Sequence, residues 1–475
     1  MLPREPWPRP SAATVDAVRR ALGRAVGPSK LVTDPDAMGA YAGDESDQEP
    51  VLPDAVVLAA SADDVAATFA VASEHGVPVT PRAAGSGKSG GCVPVAGGIV
   101  LATLGMRALK DIDRREHLAV VEPGIILADL QHAVESEGLF FPPDPNSRAA
   151  AALGGNIAEN AAGPRAFKYG ATRDYVLGLD VVTPTGARLR TGRRTKKGVT
   201  GYDVTSLLVG SEGTLAVTVE ATLRLVPKPE QVYTVLGLFA DGSGSARAVA
   251  DIVAAGLVPR CLELVDEACL GAMRREGVGV DERAGAMLIV EVDGDEPACE
   301  RGLEAVGARL DAAGALDVLV AQDGAQRERL WRVRSDLSHT LRKMARYKVA
   351  EDVVVPRTRM SELVMDVGRI GQARGVRMMS YGHAGDGNLH VNFLWDDPAD
   401  VPRVEAALRD LFTRVLAMGG TLTGEHGIGS SKAEFLSLEQ SPELIRLQRE
   451  LKRVFDPKGI LNPGKIFPRT GHGSC

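Results

Sequence analysis

Ten residues, Arg82-Ala83-Ala84-Gly85-Ser86-Gly87-Lys88-Ser89-Gly90-Gly91, follow directly on an apolar stretch, Val77–Pro81, and constrain this chain more than any other segment. Gly85, Gly87 and Gly90 spell GxGxxG behind a strand, the pattern of a dinucleotide-binding turn. Such a turn presents its phosphate to the N-terminus of a helix that begins at once. Here the chain runs on as Gly-Cys-Val-Pro-Val-Ala-Gly-Gly and into the apolar Ile99–Thr103, so that helix has no place. Gly87-Lys88-Ser89 matches the end of a P-loop, but the glycine that motif needs five places earlier is Arg82. What survives is a run of small residues whose backbone N–H groups can converge on an anion. The plain alternative is a surface loop.

Two further segments weigh against the plain alternative. Residues 142–170 contain Gly154-Gly155 and Ala161-Ala162-Gly163, where a flat ring could approach the backbone, with Asn156 and Asn160 as amide partners. Residues 201–214 add another glycine turn leading into a strand at 215–226. Upstream, Ala55–Ala60 reads as a buried strand, Ser61 caps a helix ending at Gly76, and Val77–Pro81 completes a β–α–β unit.

The proline-flanked Val226-Pro-Lys-Pro229 is the best boundary candidate. Beyond it, strands at 233–239, 287–292 and 316–321 alternate with helical patterns at 243–255, 297–313, 325–345 and 358–374. The reading is an α+β chain with a mainly antiparallel second domain. Its parts are 1–228 with an N-terminal arm 1–40, then 229–430, then a helical segment 431–475 returning to the first domain.

Composition narrows the function classes. Lys and Arg number 55 against 62 Asp and Glu, a net charge of 55 − 62 = −7 without a long basic run, which argues against nucleic-acid binding. No window reaches eighteen uninterrupted apolar residues, so no transmembrane segment is expected. The first ten residues hold four prolines and do not read as a secretory signal. Cys92, Cys261, Cys269, Cys299 and Cys475 are scattered and lack CxxC, so neither disulfides nor a cysteine-ligated metal is supported. A cytoplasmic protein is the expectation, peripheral to a membrane at most through an electron-acceptor partner.

Of eight histidines, three lie in two glycine-rich motifs, Gly382-His-Ala-Gly-Asp-Gly-Asn-Leu-His390 and Gly424-Glu-His-Gly427. Asp386-Gly387 reads as a two-residue hairpin turn. Pairing then sums to 773, placing His383 directly opposite His390 with Cβ atoms about 5 Å apart. Two imidazoles and a carboxylate suit a divalent cation, zinc first, iron or manganese as alternatives, with Glu425 the third ligand. In the helical stretch 325–345, Arg334 and Ser338 are four residues apart and share a face. A guanidinium is the preferred clamp for a substrate carboxylate.

Taken in order, the three small-residue segments resemble the FAD domain of the vanillyl-alcohol oxidase and p-cresol methylhydroxylase type. More narrowly, residues 40 to 467 look like the flavin subunits of glycolate oxidase and the D-lactate and D-2-hydroxyglutarate dehydrogenases. The resemblance implies that Arg82 to Gly90 wrap the FAD pyrophosphate. It further implies that Pro143, Gly154, Gly155, Asn160, Gly163, Tyr169, Gly170, Glu212, Gly213 and Asn462 line the rest of the cofactor. Relatives usually carry glycine at Ala83 or Ala84 and an apolar residue at Lys88. Some tether FAD to histidine or cysteine; residues 82–91 hold neither, so FAD is expected to be non-covalent. The resemblance gives His383, His390 and Glu425 to the metal and His426 the role of base. It maps the substrate arginine onto Arg334, a hydroxyl partner onto Ser338, and substrate contacts onto Lys348 and Asn392. Glu425 argues against the alkylglycerone-phosphate synthase branch, which has histidine there.

The implied reaction is metal-assisted oxidation of a small D-2-hydroxy acid, D-lactate or glycolate first, with hydride passing to FAD. D-2-hydroxyglutarate oxidation is one alternative, and a flavin electron-transfer module without its own substrate is another. Electrons would leave to an iron–sulfur subunit, an electron-transfer flavoprotein, a quinone or a cytochrome. A homodimer is left open.

Overall fold

A computed structural model describes residues 6–469; Met1–Glu5 and residues 470–475, with Cys475 and the start of the N-terminal arm, lie outside the described residues. The chain forms two compact units. One comprises 6–162, 171–228 and 425–469; the other comprises 163–170 and 229–424.

In the first unit the β–α–β pattern forms as its sequence suggests. Ser61 Oγ accepts from Asp64 N and starts the helix Ala62–His75; Gly76, at φ +64°, ends it. Its Val65, Phe69 and Ala72 are buried in one core with Val18, Leu22 and Leu461. The strands Ala55–Leu58 and Val79–Arg82 flank Ile99–Ala102, both parallel to it, with Leu31–Val32 at the edge. No helix lies between Arg82 and Ile99, so the glycine-rich loop leaves the sheet at the carboxyl ends of parallel strands, the usual ligand edge of such a sheet. A second sheet is antiparallel, in the order Leu109–Asp113, Leu118–Val121, Val217–Arg224, Val176–Val182, Arg188–Gly192.

The other unit is built on seven antiparallel strands: β1 (Gln231–Phe239), β2 (Cys261–Asp266), β3 (Ala286–Gly294), β4 (Asp317–Val320), β5 (Tyr347–Val354), β6 (Arg377–His383) and β7 (Asn388–Trp395). They lie in the order β4-β1-β3-β2-β6-β7-β5. Both faces are covered, so β3 and β7 are buried along nearly their whole length instead of alternating. On one face Val265, Met287, Leu337, Leu341, Tyr381 and Leu394 share an apolar cluster.

Three expectations need correction here. The stretch 325–345 is two helices, Gly324–Ser335 and Leu337–Lys343, broken at Asp336. The hairpin joins β6 to β7 through four residues, 384–387, because Gly387 accepts φ +85° only after the chain has passed Ala384 and Gly385. The pairing therefore sums to 771: His383 faces Asn388, and Tyr381 faces His390. The difference from the expected register is two residues, and a two-residue step returns every side chain to the same face. His383 and His390 are thus diagonal neighbours, with ring centroids 5.2 Å apart.

Candidate active site

In the first unit the small-residue segments converge. Asn462, at φ +45°, donates from Nδ2 to Gly91 O (3.1 Å) and to Glu212 O (2.9 Å). Ser430 N and Ser431 N donate to Ser89 O, and the Gly155 position faces Ala83. Glu212 and Gly213 are successive residues with positive φ, +52° and +62°, and Glu212 N donates to Ala158 O at 2.8 Å, which ties this turn to the 153–159 helix. Lys88 is exposed, whereas Ser89 and Gly90 are buried.

Other candidates already have partners. Pro143 O accepts from Gln131 Nε2, and Asn160 Oδ1 accepts from Arg173 N. Gly154 has a reason within the protein, since a Cβ there would lie 2.8 Å from Pro123 Cβ. Arg82 donates to Gly43 O and Cys92 Sγ.

Buried atoms with no partner in this unit include Ser89 Oγ, Asn156 Nδ2 and Asn462 Oδ1. An unpaired buried polar atom costs about 1–3 kcal/mol, so three in one region fit a polar ligand such as FAD. Desolvation raises the Glu212 carboxyl, against the amides of Ile428 and Gly429 that it accepts.

The site in the other unit is made of side chains on one sheet face. Register puts Glu263 opposite His383, and Asp352 opposite His390. Glu263, fully buried, lies 2.5 Å from His383 Nδ1 through Oε1; its Oε2 accepts from Arg334 Nε at 2.9 Å and is ion-paired with Nη2 at 2.8 Å. The Arg334 guanidinium lies over the Tyr381 ring, 4.4 Å from its centroid. Lys348 Nζ donates to Ser338 Oγ (2.8 Å) and Ser338 O (3.0 Å). Burial raises the Tyr381 hydroxyl, whose hydrogen-bond neighbours are Ser338 and Asn392. Asn392 Oδ1 is buried without a partner. Arg334, Ser338, Lys348, Asn392 and the two histidines are thus gathered around Tyr381. Tyr169 instead donates to Asp293 Oδ2 (2.7 Å) within this unit.

Glu425 follows a pinned segment. Asp352 accepts from Thr423 Oγ1 (3.0 Å) and Gly424 N (2.9 Å), and a side chain at Gly424 would collide with Asn388. His383 and His390 stand on one sheet face with ring centroids 5.2 Å apart, and Glu425, the expected third ligand, begins the last segment of the first unit. Two imidazoles and a carboxylate fit a divalent cation. His426 Nε2 lies 3.7 Å from Glu425 Oε1. Neighbours alternate in a strand, but this segment is a bend, and the pair turns to one side.

Glu263, Asp352 and Tyr381 escape a reading of the sequence. Tyr381 had a signal, since it lies two residues before His383 on the same face of its strand. Asp352 needed the 347–354 strand, whose pattern was missed. Glu263 had none, because only the pairing of strands 120 residues apart brings it to His383.

Residues 53–192 match the model of the FAD binding domain, and residues 228–466 match that of the FAD linked oxidases, C-terminal domain. The chain is 39% identical over 432 residues to the glycolate oxidase subunit GlcD of Bacillus subtilis, covering 90% of this chain and 92% of that protein.

The chain belongs to the FAD-linked oxidases.

Within that family it is also 34% identical over 425 residues to a D-lactate dehydrogenase of Anaerostipes hadrus, covering 87% of this chain and 89% of that one. Its fold is that of p-cresol methylhydroxylase, with TM-score 0.81 at 15% identity over 97% of this chain and 98% of the other. Alkyldihydroxyacetonephosphate synthase shares the fold at TM-score 0.75 and 20% identity, over 98% of this chain and 88% of that one. This FAD-linked oxidase is therefore an FAD-binding oxidoreductase of the vanillyl-alcohol oxidase and p-cresol methylhydroxylase fold. Among the described residues, no helix is long and apolar enough to cross a membrane.

Proposed function

We propose that this FAD-linked oxidase oxidises a small D-2-hydroxy acid, D-lactate or glycolate first, to the 2-oxo acid. The observation that carries the reading is the pair His383 and His390 on one sheet face, ring centroids 5.2 Å apart, with Arg334, Lys348 and Asn392 on or beside that face. The names of its relatives, a glycolate oxidase subunit and a D-lactate dehydrogenase, support the substrate class.

Residues 82–90, Gly155, Asn156, Gly213 and Asn462 would hold FAD without a covalent bond. His383, His390 and Glu425 would hold the cation, zinc being the first choice. When bound, the flavin supplies a hydride acceptor and the cation acidifies a hydroxyl. Arg334 presents to the substrate carboxylate the guanidinium edge that Glu263 does not use. Asn392 Oδ1 offers an acceptor to a substrate hydrogen-bond donor, and Lys348 adds positive charge beside Ser338. His426 takes the C2 hydroxyl proton, a task suited to an ordinary imidazole near neutral pH. Loss of that proton lets the C2 hydride leave. A separate electron acceptor, a cytoplasmic location and the oligomeric state belong to this proposal as expectations from its class.

Anaerobic mixing of the yellow protein with a panel of D-2-hydroxy acids tests the reading. D-lactate or glycolate should bleach the flavin within the mixing series. If no acid in the panel bleaches it, the protein is an electron-transfer module; bleaching by D-2-hydroxyglutarate alone would move the substrate to that acid.

A further inference from the structure

Glu263 is not one of the three expected cation ligands, yet it touches two groups the proposed reaction needs, one of them a ligand itself. One oxygen meets His383 Nδ1 at 2.5 Å; the other accepts from Nε of Arg334 and is ion-paired with its Nη2. The carboxylate is fully buried and lies on β2, directly across the ladder from His383 on β6. Set between an imidazole nitrogen and a guanidinium, the two carboxylate oxygens serve as acceptors. His383 must therefore donate from Nδ1, which leaves the lone pair of a neutral ring on Nε2. The same contact holds Arg334 by one edge while its plane rests on Tyr381 at 4.4 Å. Burying a carboxylate is tolerable only because both partners are present.

We infer that Glu263 is a positioning residue that orients two recognition elements at once: the imidazole that binds the cation and the guanidinium that binds the substrate carboxylate. This deepens, and rests on, the D-2-hydroxy-acid reading of the same site. One carboxylate with two obligations makes cation binding and acid recognition respond together. Separate supports would let either change alone.

Glu291 provides the matched control. It is also buried, on neighbouring β3, and is charge-paired through Arg327 and Arg260 with a hydrogen bond from Trp331. It serves the same sheet without touching His383 or Arg334.

The test uses the full-length FAD-loaded protein, with zinc affinity measured by competition with a chromophoric chelator and steady-state kinetics measured at saturating zinc. Glu263→Gln places an amide where only acceptors stood, so either His383 changes tautomer or Arg334 loses its partner. Zinc affinity should fall 10–100-fold, the usual effect of removing a partner that orients a metal-bound histidine. KM for the acid should rise about tenfold or more at saturating zinc, with FAD content unchanged. Glu263→Asp keeps the charge but shortens the reach, and should fall between wild type and Gln; it is read alone if the Gln protein does not accumulate. Glu291→Gln should bind zinc as the wild type does. Wild-type zinc affinity and KM in Glu263→Gln, or in Glu263→Asp where that stands alone, overturn the inference. Equal zinc loss in Glu291→Gln also overturns it, reducing Glu263 to general support of the sheet. If the wild type itself binds no zinc, the reading of the site fails, which is a different result from a zinc-binding wild type that does not need Glu263.

Discussion

In the unit that carries residues 82–91, the groups poised for a ligand are mostly backbone amides in glycine turns, with a few amide and hydroxyl side chains left unpaired. In the seven-stranded unit they are charged and aromatic side chains fixed by strand register, most already holding one another. The first arrangement is shaped by what side chains would obstruct. The second is shaped by which head groups stand opposite. A site of the first kind should therefore be sensitive to an added methyl and indifferent to charge. A site of the second should tolerate changes of bulk at its edges and fail when one head group is replaced.

The largest effect expected on the sheet-borne chemistry comes from His426→Asn. Flavin reduction by the acid should slow by about 10²–10⁴-fold, the share usual for acid–base catalysis, while FAD and cation remain bound. Stopped-flow reduction with metal analysis checks it; loss of the cation would make His426 a ligand instead. Next is Arg334→Lys, which keeps the charge but loses the planar fork that Glu263 and a carboxylate share. A fall in kcat/KM on the order of 10–1000-fold is expected, and unchanged kinetics would detach Arg334 from substrate.

Gly213→Ala tests the other half of the comparison. At φ +62°, with Pro81 Cγ only 2.8 Å from the new Cβ, one methyl should weaken FAD binding about tenfold, the strain of a left-handed residue being roughly 1–2 kcal/mol. Zinc content should not change. If zinc is lost as readily as FAD, the two sites are not built on separate principles.

The smallest effect concerns stability alone. Burial brings the Lys465 ammonium down from 10.5 to about 8, and desolvation pushes the Cys92 thiol up from 9.0 to about 12. Between pH 8 and 10.5 the unfolded chain holds the lysine proton more tightly than the native one, so this lysine makes stability rise with pH. Between pH 9 and 12 the native thiol keeps a proton that the unfolded chain releases, so the cysteine makes stability fall. The two together predict a rise confined to pH 8–9, with a slope of at most about 1.4 kcal/mol per pH unit. Lys465→Met should abolish that rise in denaturant titrations and bring the onset of the decline from about pH 10.5, where the two effects stop cancelling, down to about pH 9.

Much of the cofactor unit could be read from local pattern. Ser61, Gly76 and the small-residue loops each state their geometry within a few residues, and the loop after Arg82 excludes a helix by its proline and glycines. The family and fold followed from the order of those loops. Within the seven-stranded sheet, individual strands and helices were legible, but their pairing was not. Asp336 carries no breaker signal strong enough to divide 325–345, and the turn at Asp386-Gly387 is lengthened by the packing of Gly385 against Phe167, which lies more than 200 positions away. Glu263 shows the limit most plainly. It is an unremarked acid in an apolar strand until another strand is laid beside it.

The four-residue turn between His383 and Asn388 has a consequence for descent. The histidines keep their common side under any register displacement by an even number, so replacements of the turn that reseat the strands by two positions conserve the constellation. A displacement by one would exchange His390 for Leu389 or Val391 and erase it in a single event. Insertions and deletions accepted here over generations should therefore be filtered by arithmetic as well as by size, with a lineage strict about odd and even and about the glycines at 385 and 387.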